Sequence, residues 1–110
     1  MSVKVKKTNI TMTRGDTARI KIDIISNNGE PYIPVEGEHI RFAAKKTYAD
    51  EQPCILKDIP FDTCELHLAP EDTKGLEQPC TLVYDIEIKM LDGTIDTFIK
   101  GTLNIEEEVY

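Results

Sequence analysis

Few residues of this chain have the types and spacing that chemistry requires. The imidazole and thiol groups belong to two histidines and three cysteines: His39, His67, Cys54, Cys64 and Cys80. A cysteine nucleophile needs a base beside it, and no sequence signature supports a Cys–His pair here. Cys64 lies three positions before His67, and residues three apart on a strand point to opposite faces, so a tetrahedral zinc site would need distortion. We therefore predict no catalytic residue, no metal ion and no cofactor.

Three other features have plain explanations. Arg14-Gly15-Asp16 spells the tripeptide that integrins bind, but its glycine lies between two strand-like segments, where the chain must bend. Asn9-Ile10-Thr11 matches a glycosylation acceptor, but no export signal is visible, so we attribute the match to chance. The three cysteines cannot all pair within one chain, and we interpret them as small buried hydrophobic residues in a reducing compartment.

The composition favours one globular domain, residues 1–110, over a nucleic-acid-binding or membrane protein. The net charge is −7, whereas a nucleic-acid surface needs clustered basic residues. Aromatic residues make up 6% of the chain and tryptophan is absent, so bases would find few stacking partners. No apolar run approaches the ~20 residues of a membrane span. The start of the chain lacks the apolar core of a signal peptide, so we expect synthesis in the cytoplasm.

The elements that must position any site are predicted mainly by alternation of apolar and polar residues, which is typical of strands with one buried face. This pattern predicts strands at residues 17–24 and 39–46. Two shorter strands are predicted at residues 54–59 and 64–69. Residues 70–76 begin with a proline, carry early acids and end near a glycine, which indicates a single helical turn.

A long hairpin is predicted in the last third of the chain, because Asp92-Gly93 is a preferred pair for a two-residue type I′ turn. One face of the resulting pairs is nearly all apolar: Met90 with Ile95, Ile88 with Thr97, Ile86 with Ile99, Tyr84 with Gly101, Leu82 with Leu103 and Cys80 with Ile105. The other face pairs opposite charges, Lys89 with Asp96 and Asp85 with Lys100. A slip of one residue would destroy both patterns. The Tyr84 ring is expected to cover Gly101.

These signals together predict an all-β fold. About seven short strands separated by turns, one short helical turn and a long final hairpin favour an immunoglobulin-like antiparallel β-sandwich. A small closed barrel is the alternative.

The order of the turn and strand signals resembles a known family. The segments that carry the likeness are Arg14-Gly15-Asp16-Thr17, Asn28-Gly29-Glu30-Pro31, a strand ending in Lys45, Leu68-Ala69-Pro70-Glu71-Asp72-Thr73, Tyr84-Asp85-Ile86-Glu87-Ile88, Leu91-Asp92-Gly93-Thr94 and Gly101-Thr102-Leu103-Asn104-Ile105. From about Thr8 to Val109 the chain resembles the N-terminal module of the baseplate upper proteins of phages and prophages in Gram-positive bacteria. Leu82 is a departure, since the family often has a tyrosine there, but it keeps an apolar inward residue.

The resemblance implies a non-enzymatic immunoglobulin-like module that docks onto other phage tail and baseplate proteins. It transfers no catalytic residues. It implies synthesis in the bacterial cytoplasm and a place in the tail of the virion after assembly. A free-standing adaptor, a decoration protein and a prophage remnant stay open as alternatives. Homo-oligomerisation also stays open, since basic residues concentrate in the first half of the chain and acidic residues in the second.

Tyr32, Ile33 and Val35 are the candidate protein-contact residues, because they form an apolar loop flanked by prolines. Unpaired strand edges and polar strand faces are the other candidate surfaces. The alternative interpretation is that these three residues cap the sandwich. The competing function is a stand-alone adhesion or carbohydrate-binding domain, which predicts an exposed aromatic platform built from Tyr32, Tyr48 and Phe61. An enzyme is the least supported class and predicts a polar cleft.

Overall fold

A computed structural model describes residues 6–76 and 79–109 of the chain. These residues form eight strands and one short helix: β1 Lys6–Lys7, β2 Ile10–Thr13, β3 Ala18–Lys21, β4 His39–Lys45, β5 Ile55–Ile59, β6 Glu65–Leu68, α1 Pro70–Lys74, β7 Cys80–Lys89 and β8 Ile95–Glu106. The prediction of a mostly β protein with one helical turn is confirmed. Most of the start of the chain, where we found no signal peptide, lies outside the described residues.

The strands form one large sheet and one small sheet. In the large sheet the order is β1, β8, β7, β4, β5, and β2 pairs with the same strand as β1. The small sheet contains β3 and β6. β1 and β2 run parallel to β8, so the prediction of a purely antiparallel fold is wrong at this edge. Parallel neighbours need a long connection, and here residues 14–94 connect β2 to β8.

The inner faces of the two sheets enclose one apolar core. Alternation along each strand sends every second side chain inward, so the buried residues come from both sheets. The largest of the fully buried side chains are Phe42, Phe98, Ile40, Leu66, Leu68, Leu82, Ile86, Ile88, Leu103 and Ile105. The rings of Phe42 and Tyr84 lie 5.3 Å apart between their centres. Ile22 and Ile24 continue the buried face of β3 beyond its last paired residue, Lys21.

The β7–β8 hairpin confirms the predicted register in the half far from the turn. The confirmed pairs are Cys80 with Ile105, Leu82 with Leu103, Tyr84 with Gly101, Asp85 with Lys100 and Ile86 with Ile99. Near the turn the prediction is wrong by one residue. The predicted pairs Met90 with Ile95, Ile88 with Thr97 and Lys89 with Asp96 are absent; instead Ile88 pairs with Asp96 and Lys89 with Ile95.

The cause is the turn itself, which has three residues and not two. The Gly93 N–H donates to the Met90 carbonyl at 2.9 Å, and the Met90 N–H donates to the Thr94 carbonyl at 2.8 Å. Gly93 has a φ of 90°, as expected for a type I turn followed by a left-handed residue. This loop shifts the register by one residue relative to a type I′ turn.

A β-bulge at Phe98 then restores the register. The shift falls between Ile86 and Glu87 of the partner strand, so Phe98 is the extra residue of β8. As a consequence Phe98 and its neighbour Ile99 are both buried. On the turn side of the bulge the two faces are exchanged, so Ile95 is exposed and Asp96 lies across from the buried Ile88.

Gly101 allows the amino-terminal edge to approach β8 closely. A Cβ atom on Gly101 would lie 1.6 Å from the Thr8 carbonyl oxygen and 3.2 Å from the Tyr84 ring. The Tyr84 hydroxyl donates to that same Thr8 carbonyl at 2.8 Å, and the Thr8 N–H donates to the Lys100 carbonyl at 2.8 Å. The predicted cover of Gly101 by Tyr84 is confirmed, and the glycine also makes room for the Thr8 backbone between β1 and β2.

We expect Gly101→Ala to destabilise the protein by about 2 kcal/mol or more, because the added methyl group displaces the Thr8 backbone and its hydrogen bonds. Urea unfolding measures the loss. Gly75→Ala is the matched control, since nothing lies within 4 Å of its would-be Cβ and its φ is −81°. Equal stability of the two variants would contradict this explanation.

Candidate functional site

The predicted contact loop is held to the protein through Tyr32. Its N–H donates to the Ile24 carbonyl at 2.8 Å, and its hydroxyl donates to the carboxylate of Glu38, whose oxygens lie 2.7 and 2.8 Å away. The Val35 N–H donates to the same carboxylate at 3.0 Å. Tyr32 is half-buried, so it anchors the loop, as the capping interpretation expects.

Glu38 is a buried carboxylate that these donors satisfy. The Glu38 side chain is buried beneath the contact loop. A buried carboxylate without hydrogen-bond donors would lower the stability of the fold. Desolvation, the hydrogen bond to Glu38 and the charges of Glu38 and Asp92 raise the pKa of Tyr32 from 10.0 to about 12. The phenol therefore stays protonated and keeps donating through the neutral and mildly alkaline range.

The other two predicted contact residues point outward. Ile33 is 75% exposed and Val35 is 47% exposed. Leu91, at the tip of the β7–β8 hairpin, is 66% exposed and approaches the same loop, because its Cδ2 lies 2.8 Å from the would-be Cβ of Gly37. We call Ile33, Val35 and Leu91 the end patch. Sequence reasoning missed Leu91; an apolar residue directly before a tight turn was the available signal.

An open groove lies beside the end patch. Its volume is about 370 Å³, and it runs between residues 21–25, the contact loop and the turn before β6. The lining is mostly apolar and includes Ile24, Tyr32, Ile33, Pro34, Phe61 and Cys64, with Lys21, Asp23 and Asp62 as charged members. The groove and the patch share Ile33, so they form one continuous apolar surface.

The three loop aromatics do not come together as one platform. Tyr32 and Phe61 line the groove beside the end patch. Tyr48 is exposed and lines a shallow depression with Lys45 and Asp85 on the outer face of the large sheet. The aromatic arrangement that a carbohydrate-binding domain predicts is therefore split between two faces.

The Arg14-Gly15-Asp16 turn has a structural role, as the sequence indicated. The Arg14 guanidinium donates to the Leu76 carbonyl at 3.1 Å, donates to the Lys74 carbonyl and pairs with Glu108. The Gly15 N–H donates to Thr73 Oγ1 at 2.7 Å, and a Cβ at this glycine would lie 2.8 Å from Lys74. The arginine thus joins the end of α1 to the last residues of the chain.

Lys74 and Arg14 both contact the carboxylate of Glu108. The Lys74 ammonium lies 2.8 Å from it, and this hydrogen bond is the main cause that lowers the pKa of Glu108. Because this pKa is lowered in the folded state, the contact contributes its full stabilisation at pH values above the ordinary pKa of a carboxylate. This contribution is lost as the pH falls through the lowered value.

The histidines and cysteines are dispersed. His39 and His67 are exposed on β4 and β6. Cys64 has a φ of 50°, its thiol donates to the Phe61 carbonyl at 3.3 Å, and burial raises its pKa. The prediction that the cysteines are buried hydrophobic residues is wrong for Cys54, which is exposed, whereas Cys64 and Cys80 are half-buried and pack against the core. Cys54 is exposed because it precedes the first inward residue of edge strand β5. Within residues 6–76 and 79–109, no group of three or more His, Cys, Asp or Glu residues could hold a metal ion.

No protein-family model matches the chain, and no curated protein matches it significantly. In the part of the chain that the structure describes, no helix is long and apolar enough to cross a membrane.

We expect Tyr32→Phe to destabilise the protein by about 1–3 kcal/mol, because the buried Glu38 carboxylate loses a donor. Urea unfolding measures this loss, and Tyr48→Phe, which removes an exposed hydroxyl, should leave stability unchanged. The stabilisation by Tyr32 is fully present below pH 10 and is lost as the pH rises towards about 12.

An alkaline titration followed by tyrosinate absorbance provides the control for that assignment. Burial also raises the pKa of Tyr84, so among the tyrosines that the structure describes two should ionise late in the wild type and only one in Tyr32→Phe. Unchanged titration of the variant would show that Tyr32 is not the buried donor.

We expect Arg14→Lys to destabilise the protein by about 1–3 kcal/mol, since one ammonium cannot serve two carbonyls and a carboxylate in place of the guanidinium fork. Thermal or urea unfolding checks this. Arg19→Lys is the control, because Arg19 is exposed and lies 3.9 Å from Glu65, its ion-pair partner. Similar losses in both variants would refute the role of Arg14 in joining α1 to the C-terminal residues.

Proposed function

We propose that this chain is a non-enzymatic docking module of a phage or prophage tail baseplate, with an immunoglobulin-like sandwich fold. The observation that carries the docking part is the end patch. Three large apolar side chains are exposed there, two from the contact loop and one from a hairpin tip that approaches this loop at Gly37. Contiguous exposed apolar surface of this kind is typical of protein–protein contacts.

The anchoring of the contact loop supports this function. Tyr32 and Glu38 fix the loop by hydrogen bonds, and Pro31 and Pro34 restrict its backbone. A loop that is already ordered loses little conformational entropy when it binds. Ile33 and Val35 are thus presented in a fixed geometry and are not needed to fill the core.

The groove beside the patch extends the contact area. Its apolar lining can receive a large side chain from a partner, and its charged members offer directional contacts around that side chain. The phage-tail part of the proposal depends on the sequence resemblance, since the geometry supports docking as such without naming a partner.

The test is incorporation into tail particles. A tagged chain is expressed during prophage induction, and purified particles are examined by mass spectrometry. We expect the wild type to be present and Ile33→Asp or Leu91→Asp to be reduced by about tenfold or more, because a charge buried in an apolar contact is costly. Leu56→Asp is the matched control, since Leu56 is 54% exposed on the outer face of the large sheet.

The outcomes separate the two parts of the proposal. Absence of the wild-type chain from the particles would refute the phage-tail assignment. Full incorporation of Ile33→Asp and Leu91→Asp would refute the end patch as the docking surface. Circular dichroism of each purified variant shows whether a reduced signal reflects loss of contact or loss of fold.

A further inference from the structure

The small sheet has an open edge along β3. The Ile22 N–H donates to the Cys64 carbonyl at 2.8 Å, in the same register that pairs Ile20 with Leu66. In an antiparallel pair, hydrogen-bonded positions alternate, so the even-numbered residues of this strand direct their backbone groups to β6. The backbone groups of Arg19, Lys21 and Asp23 therefore point away from β6. No backbone group of the described residues pairs with them, and all three side chains are exposed.

The edge of the large sheet at β5 is protected by comparison. Lys57 pairs with the buried Phe42, so it lies on the inner side of this edge strand. Its ammonium binds Asp72 of α1 at 2.8 Å, which places a helix and an inward charge at that edge. Inward charges and covering elements are the usual means by which proteins prevent strand addition. The edge of β3 has no such cover among the described residues.

The sequence of this edge allows a second copy to pair with it in an antiparallel register that matches opposite charges. When Lys21 faces Lys21 of a second copy, Arg19 lies opposite Asp23 and Asp23 lies opposite Arg19. All three pairs are hydrogen-bonded positions, because they use the odd-numbered residues whose backbone groups point outward. In the same register Ile20 faces Ile22 of the second copy, so apolar residues meet on the inner side. Centring the pairing on Arg19 or on Asp23 does not match opposite charges. Centring it on Ile22 sets Lys21 opposite Asp23 but leaves Arg19 opposite Ile25, so of these registers only the one centred on Lys21 pairs Arg19 with a carboxylate.

From this complementarity we propose that two copies of the chain associate by antiparallel pairing of β3 with β3, centred on Lys21, to form a continuous four-stranded sheet. The two-fold symmetry repeats each Arg19–Asp23 pair, as expected for an isologous contact. This inference does not depend on the proposed docking function. The β3 edge includes none of the three residues of the end patch, although Lys21 and Asp23 also line the groove beside that patch.

Two existing contacts bear on this pairing. The like-charged lysines at the centre oppose it, but each Lys21 ammonium donates to the Thr63 carbonyl at 2.6 Å and is thereby directed towards its own turn before β6. Arg19 lies 3.9 Å from Glu65 of its own chain. This ion pair is exposed and contributes little stability, so Arg19 can leave Glu65 and pair with Asp23 of the second copy. Because the paired edge is short, we expect a concentration-dependent dimer and not an obligate one.

Sedimentation equilibrium at increasing submillimolar concentrations tests the proposal. We expect a monomer–dimer equilibrium in the wild type. Arg19→Asp puts carboxylates opposite each other twice and should weaken the dimer by about tenfold or more. The double variant Arg19→Asp/Asp23→Arg should restore most of the affinity, since the opposite charges are exchanged. Lys46→Asp makes the same change in net charge at an exposed residue after β4 and should leave the dimer unchanged.

A crosslink tests the register directly. In the pairing centred on Lys21, the two Lys21 Cα atoms lie about 5.5 Å apart, within the range of a disulfide. In a Cys54→Ser background, Lys21→Cys should therefore form an intermolecular disulfide under mild oxidation, whereas Lys46→Cys should not. Circular dichroism confirms the fold of each variant.

The opposite results overturn the proposal. A wild-type chain that stays monomeric throughout the concentration range excludes it. So does a dimer that tolerates Arg19→Asp as well as it tolerates Lys46→Asp. A dimer that Leu91→Asp abolishes, with no crosslink through Lys21→Cys, would show that the end patch, and not β3, joins the two copies.

Discussion

Burial of the inner face of the β7–β8 hairpin is the interaction on which the other elements depend. β7 pairs with β4 on its other side, and β8 pairs with β1 and β2, so five of the six large-sheet strands are the hairpin or its direct neighbours. Each fully buried aliphatic or aromatic side chain contributes about 1.5–3 kcal/mol, whereas a typical hydrogen bond contributes about 1 kcal/mol net. Burial of the apolar face therefore contributes more free energy than the backbone hydrogen bonds between β7 and β8. Those hydrogen bonds determine which residues lie on that face.

Polar groups take a different part in the fold, because they attach loops to this core. Glu38 gathers two donors inside the contact loop, and Arg14 gathers acceptors from the end of α1 and from Glu108. Both are charged groups with several partners, so removing one partner leaves the others unsatisfied in a partly dry environment. Such anchors explain how a small sandwich can leave apolar side chains exposed on a loop without losing the loop's conformation.

The two surfaces that we connect with association are distinct in chemistry. The end patch is made of side chains and its specificity comes from shape and apolar contact. The β3 edge offers backbone hydrogen bonds, and its specificity comes from the order of charges along three alternate residues. The end patch and the β3 edge share no residue, although Lys21 and Asp23 of the edge also line the groove beside the patch, so a symmetric pair of chains would present two end patches.

The sequence by itself determined which face of β3, of β4 and of β7 is buried, because period-two alternation requires no knowledge of neighbours. It also determined the pairing of Cys80 to Ile86 with Ile99 to Ile105, since only that register matches both faces. The three-residue turn and the bulge at Phe98 were decided by the tertiary structure. Their two register shifts cancel in the far half of the hairpin, and the core has room for both Phe98 and Ile99.

The candidate site divides in the same way. The apolar, proline-flanked loop was visible in the sequence, and so Ile33 and Val35 could be predicted as exposed contacts. Only the fold showed that Leu91 belongs to the patch, because the hairpin tip reaches a loop more than fifty residues away in the sequence. Only the fold showed that Tyr32 anchors the loop, because its partner is the buried carboxylate of Glu38. The parallel pairing of β1 and β2 with β8 could not be predicted either, because pairing between distant segments has little effect on the local sequence. Its one sign in β8 is Gly101, where the closeness of Thr8 leaves no space for a side chain.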